Sequence, residues 1–234
     1  MDLIDNRGRL LGDDLKKEVK RGAIVRMVAS YFSIYAFEAL KEELSSVLEL
    51  QFIFPNPTFV QEGIKDKIRK ETREYFIPKP LRESSLYGTE FEIRLRNQLT
   101  QKVIAKECAE WIREKVKFKS NITDGELQNF IYIENADHKV IYTPIRGFTS
   151  VDLGYEKNNM IYQGIMKNDE ESYAEYFFNQ FKYIWDDDAK VQDVTQSIVD
   201  YISSAYIDNS PEYIYFVTIY NIFSEFLDDI MSED

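Results

Sequence analysis

The sequence predicts an α/β fold, a mixed β-sheet flanked by helices, with an all-helical extension at the carboxyl end. Three observations carry this reading. Residues 23–55 give strand, helix and strand signals in succession. Residues 127–143 read as strand, turn and strand. From residue 170 onward apolar residues recur at helical spacing and are rich in Tyr and Phe.

The elements follow in order. Leu10-Leu11-Gly12-Asp13-Asp14 leads into a short helix expected over 15–21. AIVRMVASY at 23–31 is rich in β-formers and nearly continuous in apolar residues, as a strand buried on both faces is. Residues 32–48 set Ala36, Leu40, Leu44 and Val47 on one helical face, and LQFIFP at 50–55 is the next strand. Such a strand–helix–strand unit favours parallel pairing with the helix packed on the sheet. Pro55, Pro57, Pro78 and Pro80 break the next stretch into loops around a charged helical piece at 61–75. Tyr87-Gly88-Thr89-Glu90 enters a long helix expected to reach about residue 116, with Leu95, Leu99, Val103, Trp111 and Ile112 on its apolar face. Further helices are expected over 170–185, 191–206 and 211–230, the last with Pro211 and Glu212 in its first turn. Its run from Tyr213 to Phe223 is apolar almost all round and needs burial on more than one side. These elements divide the chain into an α/β domain over 1–165 and an acidic helical extension over 166–234.

Composition narrows the function classes. The 234 residues are ample for a core, and the single Cys108, set among apolar neighbours at helical spacing, excludes a disulfide framework. The chain opens on Met1-Asp2-Leu3 without a leader-like apolar run, and no apolar span approaches the roughly 20 residues a membrane helix needs. A cytoplasmic protein without a membrane partner is therefore expected. The net charge of −12 is unevenly placed, because residues 168–234 hold 16 Asp/Glu against two Lys/Arg. Elsewhere a basic segment runs through Arg94, Arg96, Lys102, Lys106, Arg113, Lys115, Lys117 and Lys119. It reads either as a solvated helix face or as a surface that grips backbone phosphate. There is no P-loop lysine motif, zinc ligand set, nucleophile elbow or glycine-rich dinucleotide fingerprint, and Asp186-Asp187-Asp188 lacks the spacing of a calcium loop. No metal and no cofactor is expected in this chain.

The stretch 127–160, LQNFIYIENADHKVIYTPIRGFTSVDLGYEKNNM, resembles the catalytic half-motif of the phospholipase D-like nucleases, most closely those at the front of bacterial helicases. That family carries His-x-Lys-x4-Asp on the first strand, then a Ser/Asn turn and a closing N-x-E. Here the His, Lys and Asp positions read Gln128, Phe130 and Asn135, the Ser-Asn pair reads Arg146-Gly147, and the closing Glu reads Met160. Ser30-Tyr31-Phe32-Ser33 is similar to the family's opening strand-to-helix turn. The block GTEFEIRLRN at 88–97 and the ending from Pro211 to Phe216 resemble the amino-terminal module of superfamily-two helicases of the Swi/Snf type.

The resemblance implies a phospholipase D-like fold whose chemistry has lapsed. An imidazole must attack phosphorus and a lysine must stabilise the developing charge, whereas Gln128 is a very poor nucleophile and Phe130 offers no charge. His138, the only histidine, falls in the hairpin turn beside Asp137 and Lys139 and reads as a solvated polar residue. The implied function is a catalytically degenerate module of a DNA helicase, serving DNA binding or domain docking. Arg146, Thr149, Ser150 and Asn158 would line the vestigial cleft, with Arg146 on phosphate. ATP would belong to a downstream helicase domain of the same polypeptide. Homodimerisation is expected, because the family builds its site across a two-fold axis. A structural or protein-interaction domain without nucleic-acid contact is the alternative, and an active metal-independent nuclease the less favoured one.

Overall fold

The computed structural model describes residues 2–57, 98–156 and 164–203. Among them eight strands form one mixed sheet in the order β1-β7-β6-β5-β2-β3-β4-β8. The strands are β1 (Asp2–Ile4), β2 (Ile24–Val28), β3 (Glu49–Phe54), β4 (Val116–Asn121), β5 (Phe130–Glu134), β6 (Lys139–Thr143), β7 (Ile165–Asn168) and β8 (Val191–Asp193). The helices are α1 (Leu11–Glu18), α2 (Ile34–Ala39), α3 (Lys41–Ser46), α4 (Gln98–Lys115), α5 (Glu171–Trp185) and α6 (Thr195–Ser203). The α/β class and the strand–helix–strand unit stand: β2, β3 and β4 are parallel, and β5 pairs antiparallel with β2.

The period of two along each strand sorts side chains to two cores. Val25 and Met27 of β2, Phe52 and Phe54 of β3, Phe118 of β4 and Tyr142 of β6 enter the larger one, against α1–α4 and α6. Val28, Ile53, Phe130, Tyr132 and Ile141 face the opposite way and meet Ala174, Phe177 and Phe181 of α5. Covered on both sides, the central strands need the near-continuous apolar runs seen in the sequence.

Three expectations differ from the structure. The helix expected at 15–21 is α1, four residues earlier, because the Asn6 side-chain oxygen accepts from the Leu11 N–H and Gly12 N–H donates to the Leu153 carbonyl. The single helix expected over 32–48 is two, broken at Leu40, whose φ is −119°. That break lets Phe37 pack on Trp111 at 4.8 Å while the Trp111 indole N–H donates to the Leu44 carbonyl. The helix expected at 191–206 begins only at Thr195, since residues 191–193 pair with β4 and Thr195 Oγ1 accepts from the Phe118 N–H.

The last difference bears on domain organisation. Where an all-helical extension was expected, residues 165–168 instead bridge β1 and β6, and 191–193 border β4. Helix α5 supplies the whole described helical cover of one sheet face. Short three-residue pairing signals are too weak to stand out beside amphipathic helices. The expected helices at 61–75 and 211–230 lie outside the described residues.

Candidate functional site

Parallel β2 and β3 end side by side, and open α/β sheets bind ligands beyond such carboxyl ends. Here a cleft of about 370 Å³ opens between Ser30, Pro55, Asn56 and the chain around Glu126–Asn129 and Pro144–Ile145. Its floor is held by polar side chains. The Asn129 amide nitrogen donates to Ser30 Oγ and to the Arg146 carbonyl, each at 3.2 Å. Asn121 donates to the Pro55 and Gly125 carbonyls at 2.9 and 2.8 Å, and the Ser30 N–H donates to the Arg146 carbonyl. Thr143 Oγ1 donates to the Asn129 carbonyl and accepts from the Gln128 amide, both at 3.3 Å. Thr143 and Pro144 are joined by a cis peptide.

Arg146, next in sequence to the cleft residue Ile145, is exposed, its guanidinium 5.4 Å from the centre of the Tyr31 ring. Behind it Thr149 and Ser150 are buried, at 1% and 5% exposure. Thr149 Oγ1 donates to Asp152 Oδ2 at 2.6 Å and accepts from the Asp152 N–H, so its hydroxyl holds the turn and does not face solvent. Burial raises the Asp152 carboxyl above its ordinary value, opposed by Thr149 and by the Arg146 charge. Gly147 is required here, since a Cβ would meet Asp152 Oδ2 at 2.8 Å and Tyr31 at 2.9 Å. Gly154 closes the same turn at φ +84°, the left-handed region that favours glycine.

The structure therefore separates residues that the sequence grouped. Arg146 meets Ser30 and Asn129 through its backbone carbonyl, while Thr149 and Ser150 sit in the interior behind Phe148, which stacks on Phe32 at 5.9 Å. Gln128 and Phe130 point to the α5 side of the sheet; Gln128 is exposed, and Phe130 is sealed 4.8 Å from Phe177 and 6.4 Å from Phe181. Asn135 lies at the far end of β5, where its amide donates to the Glu18 carbonyl at 2.9 Å. Asn158 and Met160 lie outside the described residues, as do Arg94 and Arg96 and the side chain of Lys102. Lys106 and Lys117 are exposed, but Lys115 donates to the Val47 carbonyl and Lys119 to the Trp185 carbonyl. Arg113 donates to Ser203 Oγ.

His138 is a correction. It is no freely solvated turn residue: Nε2 lies 2.7 Å from Glu18 Oε2 and Nδ1 2.9 Å from Asp137 Oδ1. Those two carboxylates raise its pKa. Glu18 also takes Lys167 at 2.6 Å, and Lys167 bridges to Asp14 at 2.7 Å, where the Tyr142 hydroxyl and Arg9 also donate. The cluster ties α1 to β6 and β7 at the end of the sheet away from the cleft. The described residues contain no group of three or more His, Cys, Asp or Glu able to hold a metal, and no helix among them is long and apolar enough to cross a membrane.

Sequence reasoning missed Asn129, Asn56 and Glu126. The available signal was alternation: Asn129 sits between the two positions of interest and must face the opposite side of the strand. Compared with known proteins, the chain matches no family model, and no curated protein matches it.

Proposed function

We propose that this chain is a phospholipase D-like module without phosphoryl-transfer chemistry that contacts nucleic-acid backbone phosphate at the carboxyl edge of β2 and β3. One observation carries the reading. At the two positions where the resemblance sets an imidazole and a lysine stand an exposed amide, Gln128, and a phenyl ring sealed under α5, Phe130. Neither can attack phosphorus or carry its charge. Next in sequence to the cleft residue Ile145 is an exposed cation, Arg146, and the cleft itself offers amide and hydroxyl groups, a set that suits holding a phosphate diester rather than cutting it. The reading as an active nuclease loses support from His138, whose two nitrogens are both engaged by carboxylates far from this cleft.

In this reading the chain serves a superfamily-two DNA helicase, with ATP bound only by a downstream motor domain, and a homodimer would double the phosphate-contacting rim. A labelled strand incubated with the chain in EDTA tests it. A native gel should show retardation while a denaturing gel of the same sample shows an uncut strand; cleavage would overturn the proposal.

A second reading, docking to a motor domain without nucleic-acid contact, is favoured by a separate observation. Most described cations of the basic segment are spent internally, with Lys41 paired to Glu107 beside them. A chain ending at residue 203 keeps every described element, and loss of motor capture by that chain would favour docking through the acidic residues beyond it.

A further inference from the structure

The cleft beyond β2 and β3 has a lining that a phosphate contact alone does not use. Asn129 is oriented by its own nitrogen, which donates to Ser30 Oγ and the Arg146 carbonyl. This leaves the side-chain oxygen Oδ1 buried with no hydrogen-bond partner. A buried carbonyl oxygen is under-satisfied until a donor reaches it, and each such group in a folded protein calls for one. The floor next to it is also rich in acceptors. The exposed Glu126 belongs to the lining and brings a carboxylate within reach of it, whereas Pro55, Leu127 and Pro144 add apolar walls. Ser30 Oγ accepts from Asn129 in a bond that does not use its hydroxyl proton.

The ligand that fits must be flat, with apolar faces and a donor-rich edge. It must also fit about 370 Å³. Aliphatic amines present donors without a plane, and lipid chains present neither. Among the nucleobases, guanine alone sets an N1–H and an N2 amino group side by side, with an oxygen acceptor next to them. We propose that this cleft holds one unpaired guanine, its N–H edge on Asn129 Oδ1 and the Glu126 carboxylate and its oxygen toward the Ser30 hydroxyl. The attached phosphate would then lie toward Arg146, the residue after Ile145 in the cleft wall. The inference rests on the phosphate-contacting reading and names what that reading leaves open, the base and its unpaired state. A duplex hides the same edge in pairing, so selectivity should belong to single strands.

The test uses the full chain and fluorescence anisotropy with d(TTGTT), d(TTTTT) and a GC-clamped hairpin whose duplex stem pairs the TTGTT segment. The expected result is about tenfold tighter binding of d(TTGTT) than of d(TTTTT), the discrimination one good base-edge pairing supplies, with the preference lost in the duplex. Glu126→Ala, which removes the carboxylate at an exposed loop position, should erase the preference for d(TTGTT) over d(TTTTT). Asn56→Trp, placed at the exposed mouth, should block it without touching the Asn129 bonds. Equal, salt-sensitive binding of both strands overturns the guanine site and leaves the phosphate reading standing. A preference that survives in both variants also overturns it, and no binding of any strand overturns both.

Discussion

His138 Nε2 meets Glu18 Oε2 at 2.7 Å, joining the β5–β6 turn to the end of α1 across 120 residues of sequence. The hydrogen bonds to Glu18 and then Asp137 raise the histidine's pKa above its ordinary value. A group whose folded pKa is raised stabilises the fold fully below its unfolded pKa, about 6.5 for histidine, and loses that contribution as pH rises through the folded value. Urea unfolding of His138→Gln should therefore show a lower midpoint than the parent chain at pH 6 and a smaller difference at pH 9. An equal difference at both pH values would mean the contact is not ionic. The side chain is about a third exposed, so solvent screening keeps the effect modest.

Asp14 should matter more. It is 3% exposed, yet it receives Lys167, Arg9 and Tyr142. Burial pushes its carboxyl up, but the hydrogen bonds from Lys167, Arg9 and Tyr142 outweigh burial and hold it below the ordinary value. A carboxyl with a lowered folded pKa stabilises above its unfolded pKa and loses that contribution as pH falls through the folded one. Asp14→Ala breaks a buried pair and should cost about 3 kcal/mol in chemical denaturation at pH 7. Tyr142→Phe removes one bond to a charged group and should cost about 1.5–3 kcal/mol. Both losses should shrink in acid.

A lysine at position 130, where the resemblance sets one, should not be tolerated. Phe130 fills the space beneath Phe177 and Phe181, so Phe130→Lys puts an ammonium into an aromatic core. The expected cost is at least about 3–5 kcal/mol, as for losing a buried phenyl ring, with a further penalty for the charge. Thermal unfolding measures it. A variant as stable as the parent would mean that α5 does not seal this face.

These residues also show how much the sequence displayed. The central strands were legible because burial on both faces demands uninterrupted apolar residues, as in AIVRMVASY and LQFIFP. The β5–β6 hairpin was legible as two apolar runs either side of a polar turn, and α5 through its period-3.6 pattern. Residues 165–168 and 191–193 were not, since pairing over three or four residues leaves no periodicity to read. The cleft was half legible. Ser30 and Arg146 lie in stretches that the resemblance singled out, whereas Asn129 acquires its meaning from Ser30, 99 positions away. His138 looked solvated because Glu18, its partner, is distant in the chain and no local pattern joins them.

Phe148, stacked on Phe32, anchors the turn from which Arg146 emerges. Phe148→Ala should cost about 3–5 kcal/mol and weaken oligonucleotide binding through Arg146, without changing the dependence of binding on Glu126. Binding unchanged in a destabilised Phe148→Ala chain would separate the turn from the rim.

The central claim is phosphate contact without cleavage, and one measurement reaches it most directly: anisotropy of a labelled strand across a potassium chloride series, for the parent chain and Arg146→Ala. The predicted result is an intact strand whose affinity falls linearly with salt on logarithmic axes, and a slope smaller by about 1 once Arg146 is gone. Salt-insensitive binding, no binding, or the same slope in both chains would contradict it.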